Sequence, residues 1–214
     1  MKKNSKFKKI ALLFILLFIY IFICAFSYVN AVSTNIQDSV FRLHVIANSD
    51  SDEDQNLKYL VRNKVLEYIN TIAKHVSSKE EVISIVKENS DEIQKIAENT
   101  VKENGYNYKV KLSVGNFAFP TKTYGDISFP AGYYDALKIE IGKAKGKNWW
   151  CVMFPPLCFV DVTSGIVPEE SKEILKENLS DEEYELLSES SNDINFKFKI
   201  IEMFKNIELN LAQI

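Results

Sequence analysis

Residues 124–161 read YGDISFPAGYYDALKIEIGKAKGKNWWCVMFPPLCFVD, and the fold turns on how they are read. Tyr133–Ile141 alternates, with Leu137, Ile139 and Ile141 facing inward and Lys138 and Glu140 outward, which predicts a strand. Gly142–Asn148 is a basic turn. Trp149–Phe154 is then expected to run back as the hairpin partner of Tyr133–Ile141. Pro155 and Pro156 end that strand, because proline has no N–H for a ladder. Leu157–Val162 is read as a further short strand. Both tryptophans, Trp149 and Trp150, lie here, with Cys151 and Cys158 and four of the seven glycines. Such residues make special demands on backbone and packing, so the stretch is shaped either as a compact core or as a recognition surface.

Working outward, Tyr106, Tyr108, Val110, Leu112 and Val114 alternate with polar residues and form the clearest strand. Gly115–Gly132, rich in Phe, Pro and Gly, reads as a loop. Upstream, Ser78-Lys79-Glu80-Glu81 is a capping box opening one helix. Its stripe runs Val82, Ile85, Val86, Ile93, Ile96, Ala97 and Val101, and Gly105 is its stop. Ser51 and Asp54 cap an earlier helix with Leu57, Leu60, Val61, Tyr68, Ile69, Ile72 and Val76 on one face. Before it, Phe41–Ile46 is a strand with Phe41, Leu43 and Val45 on one side and Arg42, His44 and Ile46 on the other. Downstream, Pro168-Glu169-Glu170 and Ser180-Asp181-Glu182-Glu183 open two helices, and Phe196–Leu211 carries a third. This order implies an α+β domain: a mixed or antiparallel sheet with helices packed on it.

The N-terminus is of another kind. Lys2, Lys3, Lys6, Lys8 and Lys9 precede an unbroken apolar run, Ile10–Phe26, and no charged residue follows until Asp38. This is the layout of a signal peptide or an uncleaved membrane anchor, read over residues 1–31. Val29-Asn30-Ala31 offers a cleavage site after Ala31; Ile23 before Cys24 makes a poor lipoprotein site. Retention of the basic end inside places residues 38–214, read as one domain, outside the cytoplasm. Residues 1–30 hold five lysines and no acid, so the rest of the chain carries 21 basic and 29 acidic residues, a formal charge of −8. That balance argues against nucleic acid as a partner.

No motif supplies evident catalysis, and no cofactor is implied. Asp50, Asp52 and Asp54 begin a calcium-loop pattern, but Gln55 and Val61 replace its required Gly and Glu. His44 and His75 are too few for a zinc site. Cys151 or Cys158 with His44 and Asp161 would be the set of a secreted cysteine hydrolase acting on the cell wall. Their apolar flanks instead suit a disulfide between them or two buried thiols. Lys143, Lys145 and Lys147 form either a solvated tip or the contact of a wall- or membrane-binding module. Arg42, His44, Asn48 and Asp50 form a polar cluster at a strand end, where function often sits.

Three blocks carry a resemblance. They are Arg42-Leu43-His44-Val45-Ile46-Ala47-Asn48-Ser49-Asp50-Ser51 with Glu53-Asp54-Gln55, Phe129-Pro130-Ala131-Gly132-Tyr133, and the run Asn148–Asp161, NWWCVMFPPLCFVD. With Phe196-Lys197-Phe198-Lys199-Ile200 they resemble the stage II sporulation protein R family over about residues 40–205. The resemblance implies a signalling protein of endospore formation, made in the forespore and exported into the intermembrane space. Its partners would be the export machinery and a membrane-embedded aspartate-type protease, which it activates to process pro-sigma-E. It would not be an enzyme. The signature positions Arg42, His44, Asn48, Asp50, Gly132, Asn148, Trp149, Trp150, Pro155, Pro156 and Asp161 become candidates for contact with that partner.

Overall fold

The computed structural model describes residues 3–74, 76–158 and 167–188. Helix α1, Lys3–Asp38, holds the apolar N-terminal run. It is long and apolar enough to cross a membrane, with a mean hydropathy of 2.9 over its most apolar window. Residues 1–35 form one unit and residues 36–214 another.

The second unit has the expected α+β character. Strand β1 is Phe41–Ile46, β2 Val110–Phe119, β5 Gly132–Ile141 and β6 Asn148–Phe154. They form one mixed sheet in the order β2-β5-β1-β6. β5 and β6 are therefore not a hairpin. β1 lies between them, parallel to β5 with Leu43 opposite Leu137 and antiparallel to β6 with Leu43 opposite Cys151. The alternation of β5 and β6 was compatible with either neighbour. Capping of the turn decides between them: Gly146 N–H donates to Ala47 O at 2.9 Å and Lys145 N–H to Asn48 O at 3.3 Å, so the loop binds the end of β1.

The helices form on local signals. α2, Asp52–Ile72, starts where Ser51 Oγ accepts from Asp54 N–H, and Asp52, Glu53 and Asp54 face its positive end. α3, Lys79–Glu88, starts at Ser78, whose side chain accepts from Glu81 N–H. The single helix expected over residues 79–104 is broken. Asn89 ends α3, its side-chain amide donating to Ile85 O at 2.8 Å, and α4 resumes over Ser90–Glu103. Asparagine can take a helix's hydrogen bonds onto its own side chain, and Tyr68 Oη holds Asn89 Oδ1 at 3.3 Å. Gly105, at φ +84°, closes α4 as expected.

The stretch read as a loop is partly strand. β2 runs on to Phe119, and β3, Lys122–Tyr124, pairs with β4, Ile127–Phe129, around a Gly125–Asp126 turn. Beyond β6 the Phe154–Pro155 peptide is cis. Leu157 and Cys158 are not strand, and the rest of the strand expected there lies outside the described residues. α5, Glu169–Asn178, and α6, Asp181–Ser188, form where expected; residues 196–211 and His75 lie outside the described residues.

α2, α3 and α4 cover one face of the sheet. Their core joins Phe41, Leu43 and Val45 of β1 to Leu57, Val61, Val65, Val86, Ile93 and Val101 of the helices and to Leu137 and Ile139 of β5. All six residues of β1 are buried, so its second face is interior as well.

Candidate functional site

The second face of β1 carries Arg42, which is fully buried. Its guanidinium carbon lies 4.2 Å from the ring centroid of Phe119 and 4.6 Å from that of Tyr134, with Phe129 and Tyr124 at 5.8 and 6.0 Å. Nη2 donates to Tyr124 Oη at 2.7 Å; Nε and Nη1 are buried without a partner. No carboxylate pairs with this cation among the described residues. Four ring faces replace it, since a desolvated guanidinium over an aromatic face gains about 2 kcal/mol. Burial raises the pKa of both Tyr134 and Tyr124 against the opposing pull of Arg42, so both phenols stay neutral. Tyr134 Oη donates to Pro130 O at 2.6 Å, and Tyr124 Oη to Trp150 O at 3.2 Å. The cage thus ties three signature blocks together through Arg42, Pro130 and Trp150.

His44, two residues along, stacks on Trp150 with centroids 3.6 Å apart and planes 19° apart. Its Nε2 lies 2.7 Å from Asn148 Oδ1. An amide oxygen only accepts, which assigns the ring proton to Nε2 and leaves Nδ1 as an acceptor. That Nδ1 is buried without a partner. Burial is the main cause that lowers the His44 pKa from 6.5 to about 4, against the stabilising bond to Asn148. The imidazole is therefore neutral at neutral pH.

The set of a cysteine hydrolase does not assemble. Cys151 pairs with Leu43 in register and joins the helix-side core, whereas His44 points to the opposite face. Neighbouring residues of a strand alternate faces, so the two cannot meet. Cys151 is bonded to Cys158, which takes both sulfurs as a disulfide. Asp161 lies outside the described residues.

Asn48 and Asp50 have a different task. Asn48 Oδ1 accepts from Lys143 N–H at 3.0 Å and Asp50 Oδ1 from Lys147 N–H at 2.6 Å. Asn48 Nδ2 and Ser49 Oγ donate to Asp54 Oδ2. Burial works against the Asp54 carboxylate, but bonds from Ser49, Asn48 and Tyr108 outweigh it and hold the pKa below the ordinary value. Of the acids in the incomplete calcium pattern, Asp50 and Asp54 are thus spent on a clamp that holds the β1–α2 loop against residues 142–147, and Asp52 lies in the first turn of α2. No group of three His, Cys, Asp or Glu residues could hold a metal among the described residues. Gly146 sits against Ser49 O so closely that a Cβ would strike that carbonyl.

The remaining signature residues are scattered. Trp149 points to the helix side, under Arg62 and beside Tyr59 of α2. Gly132 packs on the Gln37 side chain. Pro155 and Pro156 form the corner between the two bridged cysteines, and Pro156 lines a mixed cleft of about 300 Å³ with Ile69, Lys74, Val82, Met153, Glu170 and Ile174. The sequence reading missed Phe119, Tyr124, Tyr134, Lys58 and Arg62. For the three aromatics the available signal was the surplus of Phe and Tyr in Gly115–Gly132, which reads as loop, and at the start of the strand Tyr133–Ile141.

The family described as Stage II sporulation protein R matches residues 37–164, which hold the cage, the clamp and the disulfide. A protein of Bacillus subtilis strain 168, named Stage II sporulation protein R, is 42% identical over 143 residues. The match covers 66% of this chain and 64% of that protein, so it spans somewhat less than two thirds of the relative's length. No solved structure matches.

Proposed function

The chain belongs to the stage II sporulation protein R family, and on that premise we propose that it is an exported signal that activates a membrane-embedded aspartate-type protease for pro-sigma-E processing. The observation that carries the reading is the coincidence of the family match with one interlocked block. β1, the 142–147 loop and β6 are bound to each other through Asn48, Asp50, Arg42 and Trp150 rather than arranged around a cleft with reactive groups. Such a block is suited to presenting a rigid surface. α1 and the Cys151–Cys158 bridge fit an exported or anchored protein, since disulfides persist outside the reducing cytoplasm.

Activation requires tighter binding to the active state of the protease than to its inactive state. A domain with a fixed surface can supply that difference without chemistry of its own. The disulfide supports this reading over a cysteine hydrolase, because neither sulfur is left as a thiolate nucleophile. The test is co-expression of the full chain with the protease and pro-sigma-E of the same organism. Processing should appear only when the chain is present and should persist in Cys151→Ser/Cys158→Ser if that protein still folds. Equal processing without the chain would overturn the proposal.

A further inference from the structure

The mixed sheet has two outer edges, and the fold treats them differently. At β6 the outward carbonyls are used: Val152 O accepts from Leu157 N–H at 3.1 Å, and Trp150 O from Tyr124 Oη at 3.2 Å. The Pro155–Pro156 corner and the β3–β4 hairpin thus close that edge. β2 forms the other edge. Gly142 N–H donates to Lys109 O at 2.8 Å, so that pair is a hydrogen-bonded one, and the register runs on without a shift from Val110 opposite Ile141 to Phe119 opposite Gly132. Bonded and non-bonded pairs alternate along an antiparallel ladder. The backbone N–H and C=O groups of Val110, Leu112, Val114, Asn116 and Ala118 therefore point away from β5, and none has a hydrogen-bond partner among the described residues.

A long open edge is a template for another strand, and natural sheets blunt theirs with prolines, bulges, lysines or a covering element. β2 is 10 residues long, unbulged and free of proline, and Lys111 is its only charged residue. On the helix side Leu112 and Val114 are half-buried against the core, while Asn116 and Ala118 are exposed. On the other side 76% of the Lys111 side chain is exposed, and the half-buried Phe117 ring lies 5.4 Å from Lys138 Nζ.

We infer that the β2 edge pairs with the β2 edge of a second copy of this chain, antiparallel about a two-fold axis at Val114, joining two four-stranded sheets into one. Only that register leaves no outward group unpaired: Val114 faces Val114, Leu112 faces Asn116 and Val110 faces Ala118. On the other side it sets Lys111 of each copy opposite Phe117 of the other, a cation beside an aromatic ring. The two Lys111 residues stay about 20 Å apart, at roughly 3.4 Å per residue, well beyond the screening length of about 8 Å. A strand from a different protein has less to select it, because the edge offers one lysine and no acid as charge guides. A two-fold pair uses up both β2 edges, and the β6 edges are closed by the fold, so association stops at two copies. The inference does not rest on the activator reading.

The experiment uses the full chain in detergent, with Cys24→Ser to remove the free thiol. Light scattering, with the detergent's contribution subtracted, should give the mass of two chains. Val114→Cys should form an interchain disulfide when the thiols are oxidised with diamide, because directly opposed bonded residues have Cα atoms about 5.5 Å apart. Ala118→Cys should not, since its two copies would lie about 27 Å apart. Ala118→Pro removes an outward N–H that the fold itself does not use, and should weaken the pair about tenfold while leaving the circular dichroism unchanged. If Ala118→Pro fails to accumulate, the two cysteine variants decide between them. A single-chain mass, a two-chain mass that Ala118→Pro leaves untouched, or equal cross-linking at positions 114 and 118 overturns the inference. So does a benzophenone residue at position 114 that captures the co-expressed processing protease in place of a second copy.

Discussion

The two faces of β1 are buried equally and by opposite means. Phe41, Leu43 and Val45 meet the apolar sides of three helices. Arg42 and His44, alternating with them, lie under Phe119, Tyr124, Phe129, Tyr134 and Trp150. The first face gains free energy in proportion to apolar area, at roughly 25 cal/mol per Å². The second spends much of its gain on desolvating a guanidinium, two of whose nitrogens have no partner. Burial on this strand therefore reports position in the sheet, not a common source of stability. The helix face holds the domain together; the aromatic face fixes where the signature segments lie.

Substitutions in denaturant titrations of the detergent-solubilised chain test that contrast. Leu43→Ala should cost about 3 kcal/mol through lost burial and a cavity. Arg42→Met, which fills the cage without the charge, should change stability by less than about 1 kcal/mol. Equal losses at the two positions would erase the distinction between the faces.

Next in size is Cys151→Ser/Cys158→Ser. The bridge joins residues seven apart, and its loss should cost about 2.5 kcal/mol on the chain-entropy account. An effect near zero would place the stability of the β6 corner in its packing alone. Gly146→Ala should cost about 2 kcal/mol, because its Cβ meets the Ser49 carbonyl. Melting at the wild-type temperature would show that the clamp yields.

The smallest effect is in pH. His44 has its folded pKa lowered from 6.5 to about 4. Between those values the unfolded chain binds the proton and the folded one does not, so stability falls as pH drops from about 6.5 towards 4. His44→Gln should flatten that part of the curve, and an unchanged slope would assign it to other groups. Asp54 acts lower: its depressed pKa contributes stability above the ordinary carboxylate range, lost as pH falls through the folded value.

What could be read from the chain depended on range. The Ser51 and Ser78 caps, the Gly105 stop and the alternation of Tyr133–Ile141 are set by contacts within a few residues, and each was legible. The apolar run in α1 and the family blocks needed no structure either. Asn89 was legible in principle, but a continuous apolar stripe outweighed one polar residue. The cage was not legible, because Arg42 meets Tyr124 across 82 positions and its other rings come from three separate strands.

The sequence by itself determined the α+β class, the apolar N-terminal helix and the pairing of Cys151 with Cys158 as one of a few alternatives. The tertiary structure alone decided that β1 enters between β5 and β6, so that an apparent hairpin became two flanks of a central strand. Periodicity shows which side of a strand is apolar and says nothing of its neighbour. The neighbour was chosen by Ala47, Asn48 and Asp50 binding a loop almost a hundred residues away, and that choice buried Arg42 and brought Trp150 over His44.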